Sequence, residues 1–226
     1  MLDVDDTLLD NDRFETDLGA RIEEAFGARG RARYWKIYET LRAEVDYADY
    51  LGALQRFRAE APDAPGLLAL SAYLLRYPFA ERLYPGSLET IARLRKSGPV
   101  VLLSDGDIVF QPHKMCMSGL WDAVDGQALI YLHKEQMIDA IERHFPARHY
   151  VMVDDKQRVL AAMKSSLRAR LTTVLVRQGH YALDPENERR YARADISLGA
   201  VGELAAYDAA ALKAAARTQE RGARTT

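Results

Sequence analysis

MLDVDDTLLD, the sequence of residues 1–10, places four aspartates directly behind the first apolar residues of the chain. This order of apolar and acidic residues predicts a β-strand that ends at Asp3. Residues two apart on an extended chain face the same side, so the side chains of Asp3 and Asp5 are expected to lie together. Neighbouring carboxylates repel each other, so the stretch raises the question of what offsets their charge.

The composition is that of an ordinary globular protein. The chain has 226 residues, of which 48% are hydrophobic and 28% are charged. Its 33 acidic and 31 basic residues give a net charge of −2, which argues against nucleic acid or an anionic membrane as a partner. The single cysteine, Cys116, cannot form an intrachain disulfide, and no apolar run approaches the roughly 18–20 residues of a membrane span. We therefore expect a cytoplasmic protein, whose oligomeric state the composition leaves open.

From Tyr84 onward, short apolar runs alternate with helical stretches. The runs predict buried strands at residues 99–103, 128–132, 150–153 and 171–176, with a further short strand at 195–198. Helices are predicted near residues 88–96, 108–118, 135–145 and 157–167. This alternation is typical of right-handed crossover units, and it predicts a doubly wound parallel sheet with helices on both faces.

The region before Tyr84 has helical spacing instead. The first stripe of apolar residues begins at Phe14, steps by four and stops at Gly27. Further helices are predicted near residues 34–45, 50–57 and 67–75, and the second of these is expected to end at Pro62. The expected architecture is an α/β core of residues 1–13 and 85–226. An all-helical insertion, residues 14–84, follows the first strand.

Polar side chains follow four predicted strands at the point where each strand ends. They are Asp3 with Asp5, the turn Ser104-Asp105-Gly106, Lys134, and the pair Asp154-Asp155. The carboxyl ends of parallel strands meet at one edge of the sheet, where ligands bind in folds of this kind. Taken alone, each group is most often a helix N-cap or a solvated helix start. Capping does not require paired acids at two strands and a lysine, so the groups together predict an active site.

This arrangement resembles the haloacid dehalogenase-like (HAD) superfamily of hydrolases. The four motifs of that family look like Asp3-x-Asp5-x-Thr7, Ser104, Lys134 and the Asp154-Asp155 pair. The resemblance implies a Rossmann-like core, and the helical insertion lies where the family carries its C1-type cap. Dehalogenating members lack the second aspartate of the first motif and use no metal, so the presence of Asp5 favours phosphoryl transfer.

The resemblance also implies a role for each residue. Asp3 would be the nucleophile that forms an aspartyl-phosphate, and Asp5 would protonate the leaving alcohol and later deprotonate water. Lys134 and Ser104 would complete the catalytic set by contacting the phosphoryl oxygens. The implied substrate-binding residues are Ser104, Asp105, Gly106 and Lys134, although Asp105 would alternatively cap the next helix. Mg²⁺ is the implied cofactor, with ligands from Asp3, Asp5, Asp154 and Asp155.

Two features depart from the family pattern. Asp154 stands where many members have a glycine, and Arg158 lies near the position of a further acid. Asp155 is therefore predicted to be a direct ligand, and Asp154 to be a ligand either directly or through water. Only Met1 and Leu2 precede the nucleophile, so either the assigned start is late or the core tolerates a short first strand.

The sequence thus predicts a Mg²⁺-dependent phosphatase that acts on a small phosphorylated metabolite, with the cap closing over the site. A phosphomutase, in which an alcohol intercepts the phosphoryl group, is a second interpretation. A catalytically silent ligand-binding protein is a third. The substrate itself is not predicted, because specificity lies in cap side chains whose orientation the sequence does not give.

Overall fold

The structure, a computed structural model, describes residues 1–60 and 65–223, with side chains described up to residue 216. Pro62, which is predicted to end a helix, lies outside the described residues. The helices are α1 (Asn11–Val45), α2 (Tyr50–Glu60), α3 (Leu67–Arg76), α4 (Ser87–Leu94), α5 (Phe110–Ser118), α6 (Leu120–Ala123), α7 (Ile138–His144), α8 (Gln157–Leu167), α9 (Gly179–Leu183), α10 (Pro185–Arg190) and α11 (Ala209–Ala223). The strands are β1 (Leu102–Asp105), β2 (Ala128–Tyr131), β3 (Tyr150–Asp154), β4 (Leu171–Val176) and β5 (Ile196–Leu198).

The strands form a parallel arrangement with Leu2 at its centre. Strand β1 pairs with β2, and β3 pairs with β4, which in turn pairs with β5. Leu2 forms parallel bridges to Leu102 of β1 and to Val153 of β3, and it thereby joins the two groups of strands. The short first strand is therefore the central one, and the backbone of Leu2 suffices to connect its neighbours.

Helices cover both faces of this sheet. Alternate residues of a strand point to opposite faces, and the two hydrophobic clusters divide accordingly. Leu102 and Val153 belong to one cluster, whereas Leu103 and Met152 belong to the other. Helix α8 covers the second face through side chains such as Leu160. The predicted doubly wound α/β core is confirmed.

Strand β1 differs from its predicted bounds. The apolar run at residues 99–103 predicts a strand that ends before Ser104, but the ladder with β2 begins at Leu102 and continues through Asp105. Pro99 has no backbone N–H to donate, which explains why pairing starts later. Ser104 and Asp105 are therefore strand residues, and the turn begins at Gly106.

The inserted helices pack on the core through aromatic side chains. Helix α1 is interrupted at Gly27, where φ is 71° and ψ is 174°, so the predicted stop at this glycine is found as a break within one long element. The ring of Phe14 lies 5.1 Å from that of Tyr50 in α2 and 5.9 Å from that of Phe110 in α5. The boundaries of the cap at residues 14 and 84 stay a prediction. None of the helices in the described part of the chain is long and apolar enough to span a membrane.

Candidate active site

Backbone hydrogen bonds on both sides fix the start of the first loop. The Leu2 backbone N–H donates to Val101 O at 2.9 Å, and the Asp3 N–H donates to Val153 O at 3.0 Å. Asp3 therefore leaves the sheet between β1 and β3, at the carboxyl edge where such folds bind ligands.

Lys134 connects Asp3 to Asp154 in the buried centre of the site. Its ammonium donates to Asp3 Oδ1 at 2.5 Å and lies 2.7 Å from Asp154 Oδ2. Burial alone would lower the pKa of Lys134, but the carboxylates of Asp154 and Asp3 outweigh this effect and raise that pKa. Burial raises the pKa of Asp3 to about 6, against the opposing charge of Lys134. Lys134 therefore stays charged and offsets part of the charge of both aspartates.

The side chain of Asp155 has no hydrogen-bond partner among the described residues. It is fully buried, and both of its carboxylate oxygens lack a partner in the described part of the chain. Burial, together with the charges of Asp154 and Asp3 and against that of Lys156, raises the pKa of Asp155 well above its usual range. One oxygen each from Asp3, Asp154 and Asp155 lie within 4.8 Å of one another. Such an all-oxygen set with unsatisfied carboxylate oxygens fits Mg²⁺.

Thr7 links two members of this cluster. Its hydroxyl donates to Asp3 Oδ2 at 3.4 Å and accepts from the Asp155 backbone N–H at 3.1 Å. Because Thr7 is fully buried, both bonds are shielded from water and hold the ends of two strands in a fixed relation.

The carboxylate of Asp5 is bound by α5. Lys114 Nζ lies 2.6 Å from Asp5 Oδ1 and 2.7 Å from Oδ2, and Gln111 Nε2 donates to Oδ2 at 3.0 Å. The same Gln111 amide donates to Ser104 Oγ at 2.8 Å. Asp5 in the first loop and Ser104 in β1 are therefore connected through one glutamine.

Asp105 and Gly106 make contacts within the protein. Asp105 Oδ1 accepts from the backbone N–H of Lys134 at 2.7 Å, and the Gly106 N–H donates to Tyr131 O at 3.0 Å. The residue that caps α5 is Asp107, whose Oδ1 accepts from the Val109 N–H at 2.7 Å. Asp105 thus orients the turn that carries Lys134 rather than capping the helix after Ser104. Contact of Asp105 or Gly106 with substrate stays a prediction.

Sequence reasoning missed Lys114 and Gln111, because it considered strand ends only. A signal was present in α5, whose buried positions are Phe110, Gln111, Lys114, Met115 and Ser118. These positions form one face of the helix. A lysine and a glutamine on a face otherwise marked by Phe110 and Met115 indicate a buried polar partner.

A cavity of about 500 Å³ opens over the site between core and inserted helices. Asp5, Asp105 and Lys156 line it from the core, and Tyr38 and Arg42 line it from α1. It is large enough for a small metabolite. Two contacts cross its mouth.

In the first crossing contact, Arg42 Nη2 donates to Tyr181 OH at 2.6 Å. In the second, His133 Nε2 lies 2.7 Å from Asp46 Oδ2. The first contact joins α1 to α9, and the second joins the residue after α1 to the residue before Lys134, so both connect the inserted helices to the core.

A second acidic group lies beside the first. Asp6, Asp12 and His180 each place one ligand atom within 4.8 Å of the others. Asp6 Oδ1 already accepts from the Asn11 N–H at 3.0 Å and the Asp12 N–H at 3.1 Å, and His180 Nδ1 lies 2.5 Å from Asp12 Oδ1. Because these three side chains already bind one another and the backbone, they hold the start of α1 against the start of α9.

The family model of the haloacid dehalogenase-like hydrolases matches residues 1–166 of the chain. The chain belongs to this family. Comparison with curated proteins gave no match. The resemblance seen in the four motifs is therefore confirmed at the level of the family.

Solved structures of HAD-like hydrolases agree with this assignment. A HAD-like hydrolase from Burkholderia xenovorans LB400 is 56% identical, with a TM-score of 0.86, over 92% of this chain and 97% of that one. A dehalogenase determined as an intermediate complex is 22% identical, with a TM-score of 0.57, over 90% of this chain and 93% of that one. A HAD hydrolase from Bacillus subtilis, bound to magnesium, is 17% identical, with a TM-score of 0.57, over 90% and 94%. The last two comparisons show the shared fold alone.

Proposed function

We propose that this HAD-like hydrolase is a Mg²⁺-dependent phosphatase that acts on a small phosphorylated metabolite through an aspartyl-phosphate. The observation that carries the proposal is the meeting of Asp3, Asp154 and Asp155 in a buried cluster. Lys134 is bound to Asp3 there, and the carboxylate of Asp155 has no hydrogen-bond partner in the described structure. A buried carboxylate without a partner is costly, and its retention indicates a ligand that satisfies it.

In the first half-reaction, Asp3 attacks the phosphorus atom with one carboxylate oxygen. The bond between phosphorus and the leaving oxygen breaks as the bond to Asp3 forms, and Asp5 donates a proton to the leaving oxygen. Lys134, held at 2.5 Å from Asp3 Oδ1, keeps the nucleophile oriented and offsets charge on the phosphoryl oxygens. Mg²⁺, when bound by Asp3, Asp154, Asp155 and the backbone carbonyl of Asp5, would neutralise negative charge at the phosphoryl group.

In the second half-reaction, Asp5 takes a proton from a water molecule. That water attacks the phosphorus of the aspartyl-phosphate, so the phosphorus–oxygen bond to Asp3 breaks and inorganic phosphate forms. Asp5 regains the proton that it gave away, and Asp3 returns to its starting state. The inserted helices, through contacts such as Arg42 with Tyr181, would limit access of bulk water during transfer.

Asp5 separates this proposal from a dehalogenase activity. By the family resemblance, dehalogenating members lack the second aspartate of the first motif, whereas here that residue is present and bound on both oxygens. Transfer of the phosphoryl group to an alcohol, as in a phosphomutase, uses the same residues and differs only in the acceptor. A silent binding protein would retain ligand affinity without turnover.

The experiment is phosphate release from p-nitrophenyl phosphate and from a panel of phosphorylated metabolites, with Mg²⁺ and with chelator. We expect activity that requires Mg²⁺ and falls ~1000-fold or more in Asp3→Asn, because the nucleophile is lost. The matched control is Asp10→Asn in the same loop. Asp10 Oδ1 accepts from the Arg13 N–H at 2.8 Å at the start of α1, and asparagine caps equally well.

Three further results separate the alternatives. Chloride release from 2-chloropropionate without phosphate release would show a dehalogenase. Interconversion of hexose phosphates faster than hydrolysis would show a mutase. Calorimetric binding of a phosphorylated ligand with no turnover in any assay would show a silent binder. Activity that is indifferent to chelator and to Asp3→Asn would contradict the proposal.

A further inference from the structure

The contacts of Asp5 with α5 are unlike those of a solvated carboxylate. Lys114 is 1% exposed, whereas the side chain of Asp5, which lines the cavity, is 20% exposed. Lys114 Nζ also donates to Asn11 Oδ1 at 3.2 Å. Three elements, the first loop, the start of α1 and the helix α5, thus meet at one buried ammonium. Asp5 and Asn11 line the cavity, whereas Lys114, which binds both, does not.

We propose that Lys114 and Gln111 are positioning residues, which orient Asp5 so that one oxygen, Oδ1, exchanges a proton with the leaving group. This inference rests on the proposed phosphatase function. Asp5 Oδ2 accepts from both Lys114 and Gln111, whereas Oδ1 accepts from Lys114 alone among the described residues. A carboxylate oxygen has two lone pairs, so Oδ1 keeps one acceptor position that no described protein donor uses, whereas both positions of Oδ2 are used.

The ordinary alternative is a structural ion pair. A buried ion pair seldom adds stability over apolar residues of similar volume, because both charges lose their hydration. An apolar pair of similar volume in place of both Asp5 and Lys114 would pack α5 at least as well. Lys114 Nζ contacts both oxygens of Asp5, which lines the cavity, and this indicates that Lys114 orients the Asp5 carboxylate. Gln111 supports it independently, because its amide fixes Oδ2 and Ser104 Oγ at the same time.

Lys164 provides a matched structural pair elsewhere in the core. Its ammonium donates to Asp195 Oδ2 at 2.8 Å and to Leu171 O at 2.7 Å. Asp195 is fully buried like the acids of the site, but this pair lies by β4 and β5 and does not line the cavity. Loss of Lys164 therefore measures what a broken ion pair does to this fold without touching Asp5.

The test compares kcat/KM for two substrates in Lys114→Ala. An alkyl phosphate needs a proton on its leaving oxygen, whereas p-nitrophenolate leaves without one. A misplaced general acid should therefore lower kcat/KM for the alkyl phosphate by ~100-fold and for p-nitrophenyl phosphate by less than about 10-fold. kcat/KM reports steps up to departure of the leaving group, so hydrolysis of the common aspartyl-phosphate does not obscure the difference. Addition of n-propylammonium, the size of the group removed, should restore part of the alkyl phosphate activity.

Gln111→Leu is the second variant, in case Lys114→Ala does not fold. It should show the same leaving-group dependence with a smaller loss. Lys164→Met should lower stability and leave the ratio of the two kcat/KM values unchanged. Equal losses on both substrates in the Lys114 and Gln111 variants, or an unchanged or increased alkyl phosphate activity, would overturn the inference. Absence of phosphate release by the wild-type chain from either substrate would overturn the proposed function first, and this inference with it.

Discussion

Two buried lysines bind two of the four aspartates in residues 1–10, and they do so from different kinds of element. Lys134 lies in the turn after β2 and binds Asp3, whereas Lys114 lies in the middle of α5 and binds Asp5. Both side chains are 1% exposed. We call these contacts the Asp3–Lys134 pair and the Asp5–Lys114 pair.

The two pairs differ in what surrounds them. The Asp3–Lys134 pair adjoins Asp154 and Asp155, so three buried carboxylates share the charges of only two lysines, Lys134 and Lys156. The Asp5–Lys114 pair adjoins neutral groups, the amides of Gln111 and Asn11. The first pair is therefore short of positive charge and the second is not. This difference supports our proposal that a divalent cation binds beside Asp3 and that Asp5 transfers the proton.

The largest expected effect compares Lys134→Met with Lys114→Met. Lys134→Met leaves the buried carboxylate of Asp3 without its cation, which costs about 3–5 kcal/mol of unfolding free energy. Lys114→Met leaves the partly exposed carboxylate of Asp5 without its cation and should cost less. Mg²⁺ should restore part of that loss in Lys134→Met, because it adds charge where Asp3, Asp154 and Asp155 meet. In Lys114→Met, Mg²⁺ should add no more unfolding free energy than it adds to the wild-type chain. Urea unfolding with Mg²⁺ and with chelator measures both.

Equal stabilisation of Lys134→Met and Lys114→Met by Mg²⁺ would contradict the difference that we draw between the two pairs. The same Mg²⁺ gain in both would mean that the ion does not sit against the Asp3–Lys134 pair. Lys164→Met serves as the control for a lost ion pair far from either aspartate.

The first pair could be predicted from the sequence, and the second could not. Asp3, Lys134 and the Asp154-Asp155 pair follow strands, and the geometry of parallel sheets brings strand ends together whatever the intervening sequence. Lys114 reaches Asp5 only because α5 presents one particular face. The orientation of a helix depends on the packing of its whole apolar stripe, which local patterns do not determine.

Strand bounds show the same limit on a smaller scale. The run at residues 171–176 was predicted with the bounds of β4, because all six residues are buried and the strand is flanked on both sides. Strand β1 begins three residues later than predicted, because hydrogen bonding to β2 rather than hydrophobicity sets where it begins.

A second prediction concerns the central strand on which Asp3 depends. In a chain whose first residue is Met1, the terminal amine donates to Val151 O at 2.8 Å, beside a cavity of about 530 Å³ between β1 and β3. Burial lowers the pKa of this amine to about 5, against about 8 in an unfolded chain. The unfolded state therefore binds the additional proton between pH 8 and pH 5, and stability falls as the pH falls through this window.

Extension of the chain upstream by Met-Ile-Val should remove this pH dependence and add contacts in the cavity. We expect about 2 kcal/mol of added stability at pH 6, measured by urea unfolding. An extension by Met-Gly-Ser should flatten the pH dependence without the gain from apolar contacts. Loss of stability with Met-Ile-Val at every pH would show that the space beside Met1 does not accept a strand.

A third prediction tests which acidic group takes the metal. Asp155→Asn removes a buried acid whose raised pKa destabilises the folded state at neutral pH. It should therefore raise stability in chelator by about 1 kcal/mol and lose the rise in melting temperature that Mg²⁺ gives the wild-type chain. Asp12→Asn, in the second acidic group, should keep that rise. The reverse pattern, with the Mg²⁺ response lost in Asp12→Asn and kept in Asp155→Asn, would place the ion at Asp6, Asp12 and His180 instead.

The smallest expected effect lies on the side of the Asp5–Lys114 pair. Asp107 caps α5, so Asp107→Ala should cost about 1 kcal/mol of unfolding free energy, and Asp107→Asn should restore it. Asp208→Ala is the matched control, because Asp208 Oδ1 accepts from the Ala211 N–H at 2.7 Å at the start of α11. Fraying of the first turn of α5 loosens Gln111, so Asp107→Ala should also lower alkyl phosphate turnover by about 2- to 3-fold more than Asp208→Ala does. A loss of turnover as large as that of Lys114→Ala, with stability unchanged, would mean that Asp107 itself acts on the substrate.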